Sequence, residues 1–233
     1  MSRPKLLDLF CGAGGAGVGY HRAGFDVIGV DLKHHPEFPY FHITADARDV
    51  LNGSVMDLSQ FDVIHASPPC PRYSIATPAH TRDSHPDLVG PVRDALEAWG
   101  GAYVIENVPG SPLLDPVVLC GSSFGLRVRR HRLFESNIPI TPLPCDHRNQ
   151  GQPVGVYGQH ADKPGGWKRP NGKSRGIKAT SVADAQNAMG IGWMSQWHDI
   201  ADAIPPAYST WIGLDLLTHL RNEAARNGCA VGA

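Results

Sequence analysis

Long apolar runs are missing from this 233-residue chain: no stretch approaches the ~20 residues that cross a bilayer, so no membrane partner is expected. A secretory leader is missing as well. Met1-Ser-Arg-Pro-Lys5 runs straight into an apolar segment, so a cytoplasmic protein is expected. Cysteine is scarce. The five residues, at 11, 70, 120, 145 and 229, are odd in number and contain no Cys-x-x-Cys pair, which excludes a disulfide framework and points to a reduced compartment. Cys145-Asp-His147 offers two metal-ligand types, but no second pair is evident in the sequence, so no metal is expected. Charged residues make up only 18% of the chain and internal repeats are absent. What remains is 42% hydrophobic residues, the composition of one large globular domain with a core that needs no staples.

The net charge of −1 conceals an asymmetry. Residues 127–178 hold eleven of the 21 basic residues and three of the 22 acidic ones. A cationic stretch on an acidic body suggests a polyanion contacted from one side, although a solvated, flexible loop would have the same composition.

The chain opens with Lys5-Leu-Leu-Asp-Leu-Phe10, strand-like, then Cys11-Gly-Ala-Gly-Gly-Ala-Gly17 and a small-residue apolar run. Strand, glycine turn, helix is the start of a nucleotide-binding α/β unit, because glycines allow close backbone approach and the helix N-terminus offers free N–H groups. Phe25-Asp-Val-Ile-Gly-Val-Asp31 reads as a second strand ending in a carboxylate, about twenty residues beyond the turn, where ribose hydroxyls are held. A third strand, Phe41-His-Ile-Thr-Ala-Asp46, ends in a carboxylate that could receive an adenine amino group or cap the helix over residues 47–51.

Phe61-Asp-Val-Ile-His65 reads as a buried strand, stopped by Pro68-Pro69 so that Cys70 is presented at a strand's C-terminal end. That edge of an open α/β sheet carries ligands, and a rigid turn there suits a thiolate nucleophile; taken alone, the cysteine could equally be a small apolar turn residue. Residues 72–86 read as a long loop suited to a lid, residues 87–99 as a helix, and Ala102-Tyr-Val-Ile105 as a fifth strand leading to Glu106-Asn-Val-Pro109. Residues 127–134 are striped like an edge strand with exposed arginines, and residues 139–176 are loop-like. A helix is expected over 183–189. Another is expected over 207–226, with Trp211, Leu214, Leu217 and Leu220 on its apolar side.

Taken in order, Asp8-Leu-Phe-Cys-Gly-Ala-Gly-Gly15, Pro69-Cys70, Glu106-Asn-Val108, Arg130-x-Arg132 and Ile204-Pro-Pro206 make the chain resemble the DNA cytosine-5 methyltransferases, over residues 5–134 and 183–215. The resemblance implies a Rossmann-like α/β fold with a mostly parallel sheet, and S-adenosylmethionine as cofactor. It implies a discontinuous catalytic domain (1–134 and 183–226) around a short basic recognition segment (135–182). Phe10 would stack on adenine; Gly12, Gly14 and Gly15 would cradle the methionine moiety; Asp31 would hold the ribose and Asp46 the adenine amine. Leu32 and Pro69 would complete the cofactor pocket. Cys70 would attack C6 of a flipped cytosine, Glu106 would hold N3, Arg132 the O2 carbonyl, and Arg130 would support them. Asn107, Ser74, Arg129, Arg148, Lys168 and Arg169 would contact double-stranded DNA.

Four positions depart from the family pattern. Pro71 and Val128 each replace a Gln, and Ala201-Asp202 replaces a Gly-Asn whose Asn touches the cofactor. The recognition segment is also far shorter than usual. These features fit a monomer of relaxed specificity or one that takes specificity from a partner subunit, in a bacterial or phage-infected cell. They also leave open a spent-site nucleic-acid binder (a decoy or regulatory subunit), the same chemistry on RNA, and transfer of another alkyl group.

Overall fold

The computed structural model describes residues 2–74, 77–158 and 177–230. Its centre is a seven-stranded sheet. Five parallel strands, β1 (Lys5–Leu9), β2 (Asp26–Asp31), β3 (Phe41–Thr44), β4 (Val63–Ala66) and β5 (Ala102–Asn107), lie in the order β3-β2-β1-β4-β5. β6 (Val117–Leu119) and β7 (Arg132–Ser136) extend it as β5-β7-β6, both pairings antiparallel. The expected Rossmann-like α/β fold is therefore present. Strand order reverses between β1 and β4, the switch point where such sheets bind ligands beyond their C-terminal edge.

Helices cover both faces. α1 (Gly15–Ala23) and α6 (Pro206–Ala230) pack on one side, around Leu6, Tyr20, Phe25, Val104, Tyr208 and Ile212. α2 (Ala47–Leu51) and α3 (Val89–Trp99) pack on the other, around Leu7, Leu9, Val50, Ile64, Leu96 and Ile105. Covered on both faces, β4 and β5 are buried at every residue, which explains their apolar runs without alternation. A third cluster gathers Val128, Val154, Val156, Ala185, Met189 and Ile200 around α4 (Val182–Met189) and α5 (Trp197–Asp202). β8 (Val154–Gly155) and β9 (Ile177–Lys178) form a small parallel pair beside it. No helix among the described residues is long and apolar enough to cross a membrane.

Three expectations need correction. The arginine-striped segment is not an edge strand: only residues 132–136 are extended, inside the sheet between β5 and β6, and Arg130 is buried. The C-terminal helix buries Tyr208, Ser209, Ile212, Leu216 and Leu217, whereas Leu214 is half exposed, because the stripe facing α1 is set by positions four apart. The cationic stretch is also less free than its composition suggests. Arg127 pairs with Asp184 at 2.7 Å, Lys178 lies 5.7 Å from the Trp197 ring centre, and Arg130 and Arg132 point inward.

Two glycines of the opening motif serve helix packing. A Cβ on Gly19 would lie 2.0 Å from Ser209 Oγ and 2.2 Å from the Pro206 carbonyl oxygen, so α6 rests directly on α1. A Cβ on Gly15 would meet the Ile204 carbonyl at 2.5 Å. Because backbone cannot rotate away, Gly19→Ala should cost about 1–3 kcal/mol or more in urea denaturation. Gly90 on α3 is the control: a Cβ there meets nothing within 4 Å. Gly90→Ala should therefore cost much less than Gly19→Ala, with no net gain expected because Pro91 follows directly.

Candidate active site

The C-terminal ends of β1, β2, β4 and β5 converge at the switch point. β4 is followed by Ser67, whose N–H donates to the Leu9 carbonyl at 3.1 Å, and by the two prolines that end the ladder. Cys70 then opens a tight turn in which Tyr73 and Ser74 N–H both donate to its carbonyl at 3.0 Å. The neighbouring β5 ends at Asn107. Its Nδ2 donates to the Pro68 carbonyl at 3.0 Å and its Oδ1 accepts the Val108 N–H at 2.9 Å. Asn107, expected to touch substrate, thus has its side chain engaged in clamping the Cys70 loop to β5.

Glu106, one residue earlier on β5, is 6% exposed. Register pairs it with Phe134 on β7, and Arg132 at the start of β7 brings Nε to 2.9 Å from Glu106 Oε1. That approach is an ion pair without hydrogen-bond alignment, since Oε1 is buried and has no hydrogen-bond partner. A buried carboxylate oxygen with an ion-pair partner but no aligned hydrogen bond keeps capacity to accept one from a polar ligand.

Arg130 is buried at 3% exposure, with Nη1 on the Val156 carbonyl (3.1 Å) and Nη2 on the Ala201 carbonyl (2.6 Å). Its backbone sits at φ 38°, a conformation costly for a side-chain-bearing residue, and its carbonyl accepts from Tyr208 Oη at 2.9 Å. Burial, with Arg132 nearby, lowers its pKa to about 10, so it remains a cation at neutral pH. It braces the segment from which Arg132 reaches Glu106.

Burial pushes the Cys70 thiol above its ordinary range. Arg132 opposes that rise, Glu106 and Asp202 add to it, and Arg130 opposes it. Glu106, Arg132 and Arg130, expected around the cysteine, are therefore among the groups whose fields reach it, together with Asp202, which was expected at the cofactor. Cys11, buried near Asp8 and Asp31, is pushed far higher and is inert by comparison.

At the other side of the switch point, the β1 turn contains Phe10 at φ 58° and Gly12 at φ 50°, and a Cβ on Gly12 would enter open space. The Gly12 N–H donates to Asp31 Oδ2 at 3.0 Å, and Lys33 N–H to Oδ1 at 3.1 Å. Asp31 is thus not a helix cap; it fixes the glycine turn from the end of β2. Leu32 beside it is 69% exposed. Gly14, at φ 91°, lies against Phe38 and Pro39. Gly15 faces Ile204, so its need for glycine comes from packing rather than from a ligand. Asp46 takes the capping role: it accepts the Arg48 N–H at 2.9 Å and pairs with the Arg48 guanidinium at 2.6 Å. Pro69 is exposed beside Cys70, and Asp202 ends α5 in contact with His198 at 3.2 Å.

Of the expected nucleic-acid contacts, Arg129 and Arg148 are exposed, Arg129 touching Gln150 at 3.3 Å. Lys168 and Arg169 lie outside the described residues. Sequence reading missed His65 on β4. Its Nδ1 donates to Asp8 Oδ1 at 2.8 Å with both residues buried, beneath the point where β1 and β4 diverge. A lone His within an apolar run carried no signal that its partner lay 57 residues away.

The chain is similar to known proteins both in sequence and in fold. Residues 4–111 match the C-5 cytosine-specific DNA methylase family. The Type II methyltransferase M.XorII of Xanthomonas oryzae pv. oryzae is 25% identical over a region covering 78% of this chain and 53% of that protein, so the chain spans about half of that relative's length. Among solved structures, the Entamoeba histolytica methyltransferase EhMeth superposes with a TM-score of 0.61 at 12% identity, covering 94% of this chain and 99% of its own. The Spodoptera frugiperda DNMT2 mutant gives 0.58 at 12% identity, covering 92% and 99%. Over residues 4–111, a little under half of its length, the chain is thus similar to the C-5 cytosine-specific DNA methylase family.

Proposed function

We propose that this protein methylates C5 of cytosine in DNA, with Cys70 as the nucleophile. The observation that carries the reading is that Cys70, on the loop after β4, lies beside the buried Glu106–Arg132 ion pair formed between the end of β5 and the start of β7. C5 of an aromatic cytosine is a poor nucleophile. Addition of the Cys70 thiolate at C6 breaks the ring's conjugation and makes C5 enamine-like. Negative charge then develops toward N3. Glu106, held by Arg132, delivers a proton there, balancing the one that leaves Sγ. Arg132, beside Glu106, would hold the O2 carbonyl. After transfer, solvent takes the C5 proton, N3 returns its proton to Glu106, and departure of the Cys70 thiolate restores the aromatic ring. Stacking hides C6 in a duplex, so the base must be flipped out at a cost of a few kcal/mol.

S-adenosylmethionine, when bound, supplies the electrophilic methyl group. The residues at the β1–β2 edge fit such a cofactor: a Cβ on Gly12 would enter open space, the Gly12 N–H is anchored by Asp31, and Leu32 beside it is exposed; Phe10, Gly14 and Pro69 would complete the pocket. Asp46, engaged by Arg48, is the weakest of the expected contacts.

The catalytic unit comprises residues 1–134 and 183–226, although β7 runs on to Ser136. Residues 135–182 are the short recognition segment. Arg129 and Arg148 contact phosphates at its base, as a monomer or with a partner supplying specificity.

The test is nucleoside mass spectrometry of mixed-sequence DNA incubated with the full chain and S-adenosylmethionine. A 5-methylcytosine peak is expected. Confirmed cofactor binding without any modified cytosine in DNA would overturn the proposal, and a modified base in RNA instead would redirect it.

A further inference from the structure

Four side chains outside the proposed catalytic centre meet at one point: Cys120, His131, Cys145 and His147. They come from three separate pieces of chain. Cys120 follows β6, His131 immediately precedes β7, and Cys145 and His147 lie in the irregular stretch after β7. Their ligand atoms all fall within 4.8 Å of one another. Cys120 Sγ is 3.2 Å from His147 Nε2, and Cys145 Sγ is 3.4 Å from His131 Nε2. The two imidazole rings stand nearly perpendicular, at 80°, with centroids 5.2 Å apart.

We propose that these four residues form a tetrahedral Cys2His2 site for a zinc ion. Zinc–sulfur and zinc–nitrogen bonds of about 2.3 and 2.0 Å require a sulfur–nitrogen edge of about 3.5 Å, close to both observed separations. Spacings of up to 4.8 Å within the set have to close by about 1 Å or more on binding an ion, and the exposed Cys145 leaves room for adjustment. The donors are soft thiolate and imidazole with no carboxylate among them, a set that selects zinc over calcium or magnesium. Two thiolates, having released their protons, neutralise the divalent ion.

The surroundings are built for this arrangement. Ser122 Oγ donates to Cys120 Sγ at 3.1 Å, the kind of outer hydrogen bond that steadies a ligating sulfur. The same hydroxyl accepts the Asp146 N–H at 3.0 Å, and Ser123 Oγ donates to the Pro144 carbonyl at 2.8 Å. The serines after β6 therefore hold the Cys145–His147 turn in place through backbone contacts. An S–H···N pair on its own is ordinary; two such pairs sharing one small volume, with a serine aimed at a sulfur, are not explained by hydrogen bonding alone.

All four positions are filled by protein, which makes the site structural rather than catalytic. Its consequence is positional. His131 lies between Arg130 and Arg132, so the ion would pin the start of β7 to β6 and to the base of the recognition segment. The inference does not depend on the methyltransferase reading.

The experiment is elemental analysis of the full chain, purified in zinc-containing buffer without chelator and then desalted. About one zinc per chain is expected. Cobalt(II) exchanged into the site should show the intense visible bands of a tetrahedral centre and a thiolate-to-metal charge-transfer band. Cys145→Ser should lose the zinc, whereas Cys70→Ser should retain it. Because the variant could be misfolded, chelator-driven release is also followed on the unaltered chain, where loss of zinc should free two thiols to a thiol reagent. Zinc-free protein under these conditions, a Cys120–Cys145 disulfide, or equal zinc content in Cys145→Ser would each overturn the proposal.

Discussion

Cys70→Ala is expected to reduce 5-methylcytosine formation by roughly 10⁴-fold or more while leaving cofactor binding intact, since no other group in the site can add to C6. Cys11 is no substitute, being buried with its thiol pushed far up. Glu106→Gln keeps the shape and removes the proton source, so a loss of about 10²–10⁴-fold is expected. The pH profile gives an independent check. Burial, Glu106 and Asp202 raise the Cys70 pKa, and Arg132 and Arg130 do not fully offset them. At neutral pH the free protein therefore holds mostly thiol. The reactive thiolate fraction grows tenfold per pH unit below that pKa, so kcat/KM should climb through neutral into mildly alkaline pH. Arg132→Ala removes the main opposing charge and should move the rise to still higher pH. A flat profile with full product in Cys70→Ala would show that the covalent mechanism is wrong.

His65→Leu is expected to destabilise the fold by about 3–5 kcal/mol, because it leaves the Asp8 carboxylate buried without its partner. Asp8 is 1% exposed and His65 fully buried, and Asp8 Oδ2 already has no hydrogen-bond partner. Against a total stability of about 5–15 kcal/mol, that is a large share. The double variant, with Asp8→Leu added, removes both buried polar groups at once and should recover much of the loss. Urea denaturation of the four proteins gives the coupling directly. Additive effects would mean that the pair contributes no coupling energy to the fold. The pair is of interest because β1 carries the glycine turn and β4 carries the Cys70 loop, so it joins the two strands at the switch point.

Much of this was legible from residue order. Buried parallel strands read as uninterrupted apolar runs, and prolines and glycines mark where they stop. Those signals are local, which is why β1, β2, β4, β5 and the Cys70 turn could be placed from sequence. Residues 127–134 misled because alternation with arginines looks the same whether the charges meet water or a buried carboxylate. Arg130 bonds backbone carbonyls of Val156 and Ala201, and Arg132 meets Glu106. Nothing within the segment announces partners so far along the chain. Asp46 was ambiguous for a related reason: an aspartate before a helix can cap it or face a ligand, and the Arg48 contact decided for the cap.

The sequence by itself determined the sheet-and-helix alternation, the glycine turn after β1, the proline-set presentation of Cys70 and the carboxylate that follows β5, because each depends on the backbone preferences of neighbouring residues. Only the tertiary structure decided which glycines make room for helices, which arginines turn inward, that His65 sits on Asp8, and that Cys120 and His131 come to lie beside Cys145 and His147. Those outcomes depend on contacts between residues far apart in the chain, and burial converts such contacts into large energies by removing the water that would otherwise satisfy each group alone.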